Sequence, residues 1–454
     1  MLLINKRFFL IYITAILVLT TIESQAQHKK KGSAFRDALN NTTADADGDS
    51  KINVPIVYDD FVYRPNIKTV QLHEESFELT QPILELGAAG RLKLSFDDLD
   101  TDYKNYSYTF IQCNADWLPS DLSAMDYIEG FTDNLVTDHQ FSLNTLQSYT
   151  HYSTLFPNEN FHFIKSGNYI LKVYLDGNPD KLVLTKRFII FENKLNIISK
   201  VKPATTVEFR NFKQEIDFTI NHSQYAITDP YGDLKIVITQ NNRWDNAKTG
   251  LKPVFVKDDE LVYDYDEENV FDGGNEFRIF DIRSLRYQSE RIRSIEKDSN
   301  GYHVLLMPDE KRSYKRYLTY TDMNGKYLIK VQEGSNSENE ADYAYVNFFL
   351  PYDDALTDGK LYVFGAYNGF KCTSENLMHY NAKRFGYECD LYLKQGYYNY
   401  EYVFIKDAEQ VADQTLVEGM HYETENDYTI YVYHRPPGTY YDQLIGMKRL
   451  NSMK

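Results

Sequence analysis

From Ile56 onward the chain falls into short strand-like runs, each bounded by Gly, Asn, Asp or Pro. In the first part they are Ile67 to Leu72, Arg91 to Phe96, Tyr106 to Cys113, Gly167 to Leu175 and Leu182 to Phe191. Gln214 to Asn221, Leu234 to Gln240, Tyr302 to Met307, Tyr327 to Gln332, Tyr343 to Leu350 and Tyr387 to Leu393 continue the pattern. Regular turn signals between short runs point to β-sandwiches. The 39 tyrosines and 27 phenylalanines agree, because aromatic rings pack well on a pleated, half-buried surface. A chain of 454 residues is too long for one hydrophobic core. The expected layout is all-β, with three tandem sandwich domains at 53–193, 194–336 and 337–454. The last boundary rests on the polar run Gly334 to Glu340.

The first residues address a compartment. Lys6-Arg7, the apolar run Phe8 to Ile22 and the small-x-small triplet Ser24-Gln25-Ala26 form a cleavable secretory signal over 1–26. The apolar run is shorter than the ~20 residues a membrane span needs. Residues 27–52 lack apolar periodicity and read as a disordered leader. Within it, Asp45, Asp47 and Asp49 start a calcium-loop pattern, but Ser50 and Ile56 stand where Gly and a bidentate carboxylate belong. The net charge of −17 disfavours nucleic acid and anionic membrane surfaces as partners. Three cysteines make no disulfide framework. Cys372 and Cys389 could pair in an oxidising compartment, whereas Cys113 reads as a small buried hydrophobe.

Gly274 to Arg293 is the one stretch where this acidic chain turns basic, with Arg278, Arg283, Arg286, Arg291 and Arg293. Interleaved Phe277, Ile279, Phe280, Ile282 and Leu285 make it a strand with one apolar face, interrupted at Phe280-Asp281. The acidic run Asp258 to Glu268 precedes it, separated by Asp272-Gly273-Gly274. Together they suggest a hairpin. The charges either pair across it or leave Arg278, Arg283 and Arg286 facing an acidic partner.

No reaction is indicated. The chain has no Gly-x-Ser-x-Gly elbow and no phosphate loop, and His73-Glu74-Glu75 lacks the second histidine of a zincin. The ten histidines are scattered singly, without metal-ligand spacing. Neither catalytic residue, cofactor nor metal is expected.

Gly359 to Phe370, GKLYVFGAYNGF, with Gly396 to Phe404, GYYNYEYVF, resembles the early-set immunoglobulin-like modules that include glycogen-binding domains. Phe370 stands where that family has its stacking Trp, and Tyr367, Phe370 and Tyr398 would be the rings of a glycan site. On a larger scale the chain resembles the periplasmic plug protein of the bacterial type IX secretion system. The resembling residues are Tyr108 to Leu122, Ser166 to Phe191, Asn275 to Arg291, and the two third-domain motifs just given. The resemblance implies a non-enzymatic periplasmic protein, monomeric on its own and not inserted in the membrane. It would dock on the outer-membrane translocon barrel and seal the idle channel. The alternative is a periplasmic or surface glycan-binding protein.

Overall fold

The computed structural model describes residues 55–453 apart from 408 and 410. The expected signal peptide, the leader and the calcium-like loop beginning at Asp45 lie outside the described residues.

Alternation builds the first body. Leu92, Leu94 and Phe96 share one face of the strand Leu92–Asp98 and are fully buried. Tyr106, Tyr108 and Phe110 repeat the pattern on Tyr106–Cys113. One sheet runs in the order Ile67–Glu74, Leu92–Asp98, Thr150–Phe156, Asp138–Phe141. The other runs Phe61–Val62, Leu182–Phe191, Gly167–Leu175, Tyr106–Cys113, Asn134–Leu135. Their apolar residues meet in a single core with Phe156, Tyr169 and Phe188. Each such side chain contributes roughly 1.5–3 kcal/mol on burial, and the aromatic pairs slightly more. All five strands expected here are present. The segment between Asp126 and Leu155, where the sequence shows no strand-like run, holds short strands, among them Asp138–Phe141.

The described chain is all-β, interrupted only by the short helices Ala124–Tyr127 and Ser337–Glu340 and one 3-10 turn. Two further cores follow the first. Strand pairing crosses the expected cut near residue 337 in both directions. Arg278–Asp281 pairs with Gly396–Lys406, and Gly301–Leu306 lies parallel to Tyr343–Pro351. The C-terminal hairpin, Asp427–His434 with Gln443–Asn451, returns to Leu234–Gln240. Burial drives that return, because both faces of Asp427–His434 are apolar. Tyr428, Ile430 and Val432 join the core of Ile236 and Ile238, and Tyr431 and Tyr433 pack with Trp117 and Ile170 of the first body.

The acidic and basic runs do not form a hairpin. Glu260–Tyr263 pairs with Lys213–Asn221 in one sheet, while Arg278–Asp281 pairs with Gly396–Lys406 in another. A turn of Asp272-Gly273-Gly274 cannot close a ladder whose strands have better-buried partners elsewhere. Gly273 is confined by the carbonyl of His421, which lies 2.0 Å from where a Cβ would sit, so the turn serves a close approach between chain segments. Turn chemistry after Tyr106–Cys113 follows the sequence: Asp116 Oδ1 accepts from the Leu118 amide at 3.1 Å, and Trp117 folds back onto the sheet. Arg187 then stacks on Trp117 at 4.4 Å, and Trp117 meets Trp244 edge-on at 5.0 Å. Cys389 is a buried thiol donating to the Glu375 carbonyl, so it makes no disulfide with Cys372.

Candidate partner interface

The three arginines that are candidates for a partner contact have different surroundings. Arg278 is only 9% exposed. Its guanidinium donates to Glu418 Oε1 at 3.0 Å, to Asp309 Oδ1 at 3.0 Å and to the Glu310 carbonyl at 2.7 Å. Alternation along Arg278–Asp281 turns Arg278 inward together with Phe280. It is an internal strut and does not present its charge at the surface. Arg283 is half-exposed and bidentate to Asp281, at 3.0 and 2.6 Å. Arg286 is exposed and has no ion-pair partner among the described residues.

Arg278 belongs to a buried charge network assembled from distant segments. Arg312 Nε donates to Glu418 Oε2 at 2.8 Å, and Arg291 Nη2 to Asp309 Oδ1 at 2.7 Å. Tyr400 and Tyr402 hydroxyls donate to Asp309 Oδ2 at 2.7 and 2.6 Å. Burial alone would raise the Glu418 carboxyl, but the Arg278 and Arg312 guanidiniums hold it below its ordinary range. Its neighbour Glu401 behaves oppositely: burial pushes it to about 8, although Arg243 Nη1 lies 3.3 Å away.

The Glu401 shift has a measurable sign. A carboxyl whose folded pKa is raised contributes stability below its unfolded value and loses that contribution as pH rises through about 8. The free energy of unfolding should therefore fall between about pH 5 and about pH 9, and Glu401→Gln should flatten that slope. Urea titrations across the range check this, and an unchanged slope in the variant would exclude Glu401 as its source.

A second polar constellation joins the first body to the C-terminal strands. The alternation that buries Leu92, Leu94 and Phe96 turns Lys93, Ser95 and Asp97 to the opposite face. There Asp97 Oδ1 lies 2.7 Å from His151 Nδ1, its cross-strand partner, and Asp97 Oδ2 accepts from Lys394 Nζ at 2.6 Å and Tyr343 OH at 2.7 Å. Lys394 is 1% exposed, also donates to the Glu338 carbonyl at 2.8 Å, and sits 4.1 Å from the Tyr149 ring centroid. Burial would raise Asp97, but Lys394 and His151 outweigh it and hold the carboxyl low. Burial pushes Lys394 downward in spite of Asp97. A cavity of ≈ 40 Å³ beside the group is lined by Thr69, Gln71, Ser95, His151 and Glu338, space for a water or two. The arrangement suits a polar joint between two bodies. No motif marks it, since Asp97 and Lys394 are 297 positions apart.

The rings considered for a glycan are not arrayed at the surface. Tyr398 is 1% exposed and stacks between Phe280 and Tyr327, while Tyr367 is edge-on to Tyr398. Phe370 packs on Phe364 and Phe277. Elsewhere Glu215, Asp217 and Asp264 bring carboxylate oxygens within 4.8 Å of one another. Lys202 Nζ already sits among them, 2.9 Å from Glu215 and 2.7 Å from Asp217, supplying the balancing charge.

Comparison with known proteins adds the family. No curated protein matches the chain. A solved structure of a hypothetical protein from Parabacteroides merdae ATCC 43184 is similar with a TM-score of 0.84 and 34% identity, covering 87% of this chain and 100% of that one. The family described as "Type 9 secretion system plug protein 1st domain" matches residues 67–192, which take in both sheets of the first body apart from the edge strand Phe61–Val62. The chain is therefore a member of the type IX secretion system plug protein family.

Proposed function

We propose that this protein is the periplasmic plug of a type IX secretion system, docking on the periplasmic side of the outer-membrane translocon and sealing its channel when no substrate passes. The match of the first body to the plug family carries the reading. The physical requirements agree with it. A wide aqueous pore is blocked by something broad and stiff, and the three β-cores, tied by the Trp117–Trp244 contact and the Asp97–Lys394 pair, make such a body. Release requires an interface that is polar and charge-complementary rather than purely apolar. Arg286 is a candidate contact.

On this reading the protein is exported with cleavage of residues 1–26, carries no catalytic function, and acts as a monomer. We divide it by strand pairing into 55–192, 196–272 with 427–451, and 275–425. Deleting the protein should raise outer-membrane permeability to small hydrophilic dyes in cells that still assemble the translocon. Unchanged permeability in such cells would remove the sealing role.

A further inference from the structure

The segment 307–326, between Gly301–Leu306 and Tyr327–Ile329, has neither strand nor helix. Irregular loops longer than about 12–15 residues are uncommon in compact domains and are usually functional or disordered. This one is pinned on both shoulders. On the first, Asp309 receives Arg278, Arg291, Tyr400 and Tyr402, and the Arg312 and Ser313 amides donate to the Val417 carbonyl at 2.7 and 3.0 Å. The Arg312 side chain adds its buried pair with Glu418. On the second, Tyr317 donates to the Glu276 carboxylate and Tyr320 OH to the Glu276 carbonyl at 3.0 Å.

Beside these anchors the tip projects. Tyr314 is 74% and Leu318 73% exposed, with Lys315 and Arg316 exposed between them. Lys315 is paired with Glu310, whereas Arg316 has no ion-pair partner among the described residues. The anchors keep a tyrosine, an arginine and a leucine in one arrangement before any contact is made, which reduces the ordering cost of binding. Tyrosine and arginine are also the residue types that dominate interface energetics. Lys311, Arg312, Lys315 and Arg316 fall within a stretch lacking any carboxylate, on a chain whose net charge is −17.

We propose that the Tyr314–Leu318 tip is a preformed docking knob for a protein surface that offers carboxylates beside an apolar pocket. Resting on the plug reading, that surface belongs to the translocon. A protein occupant is favoured over an anionic bilayer, since the rest of this acidic chain would be repelled by such a bilayer. Arg316 supplies attraction and orientation, and Tyr314 and Leu318 supply the desolvated contact.

The test uses the full mature protein and detergent-purified translocon, with binding measured at about 50 mM and about 300 mM salt. Arg316→Glu should weaken binding by about tenfold at low salt and by less at high salt. The double variant Tyr314→Ala/Leu318→Ala should weaken it by about tenfold or more at both. Lys383→Glu, an exposed charge reversal elsewhere, should bind as wild type. Exposed positions such as these leave folding intact, which the melting temperature verifies. Wild-type binding with unaltered binding of both knob variants would overturn the knob and leave the plug reading standing. Failure of the wild type to bind would defeat the plug reading, and the knob's assigned partner with it. Flotation with vesicles containing phosphatidylglycerol, lost in Arg316→Glu, would assign the tip to lipid and overturn the proposal.

Discussion

Glu418→Ala should lower the free energy of unfolding by about 3–5 kcal/mol, because it strands two guanidiniums that the fold has taken out of water. Glu418 is fully buried and accepts from Arg278, Arg312 and the Tyr402 amide. Replacing it leaves Arg278 with Asp309 and the Glu310 carbonyl, and Arg312 with backbone and hydroxyl acceptors. Glu418→Gln keeps an acceptor of the same shape and should lose less. Charge reversal at exposed Arg286 should change stability by no more than about 0.5 kcal/mol, and removing half-exposed Arg283 by about 0–1 kcal/mol. Urea unfolding of this series separates strut from surface within one basic stretch, of which only Arg278–Asp281 is strand. Equal effects at Glu418 and Arg286 would show that the buried network contributes nothing special.

Asp97→Asn should have an effect of similar size at a different joint. It leaves the Lys394 ammonium, 1% exposed, without its opposing charge, with the Glu338 carbonyl, the neutral amide oxygen of the new side chain and the face of Tyr149 beside it. Breaking one side of a buried pair costs about 3–5 kcal/mol, while replacing both sides with groups that need no charge is far milder. The double variant Asp97→Asn/Lys394→Met should therefore recover most of the loss. Its sign with pH is also set. The folded Asp97 carboxyl is held below its ordinary 3.8, so its contribution is complete above the unfolded value and is lost as pH falls through the lower folded value. The variant should be less sensitive than wild type to acidification below about pH 4. A double variant no more stable than Asp97→Asn alone would mean that the loss came from the hydrogen bonds to His151 and Tyr343, not from the stranded charge.

These two sites mark where local reading ends. The strands Tyr106–Cys113, Gly167–Leu175 and Leu182–Phe191 were legible residue by residue, since the period of two and the bounding turn residues are local properties of the chain. The turn that returns Trp117 to its sheet is equally local, with the Asn114 carbonyl accepting from the Trp117 amide and Asp116 Oδ1 from the Leu118 amide. The family resemblance was legible too, carried by those same strands and the basic run. Pairing was not. Asp258 to Glu268 and Gly274 to Arg293 look complementary as text, yet each strand found a longer, better-buried neighbour in a different sheet. The return of Asp427–His434 to Leu234–Gln240 was equally hidden, although its two apolar faces hinted at a central position. Arg278 and Arg286 carry the same charge eight positions apart, and only the sheet in which Arg278 sits decides that one is enclosed by Glu418 and Asp309 while the other meets solvent. The sequence by itself determined which segments are strands and which side of each strand is apolar. Tertiary structure decided which buried charges meet, because the desolvation that makes Asp97–Lys394 and Arg278–Glu418 matter arises only when distant strands close over them.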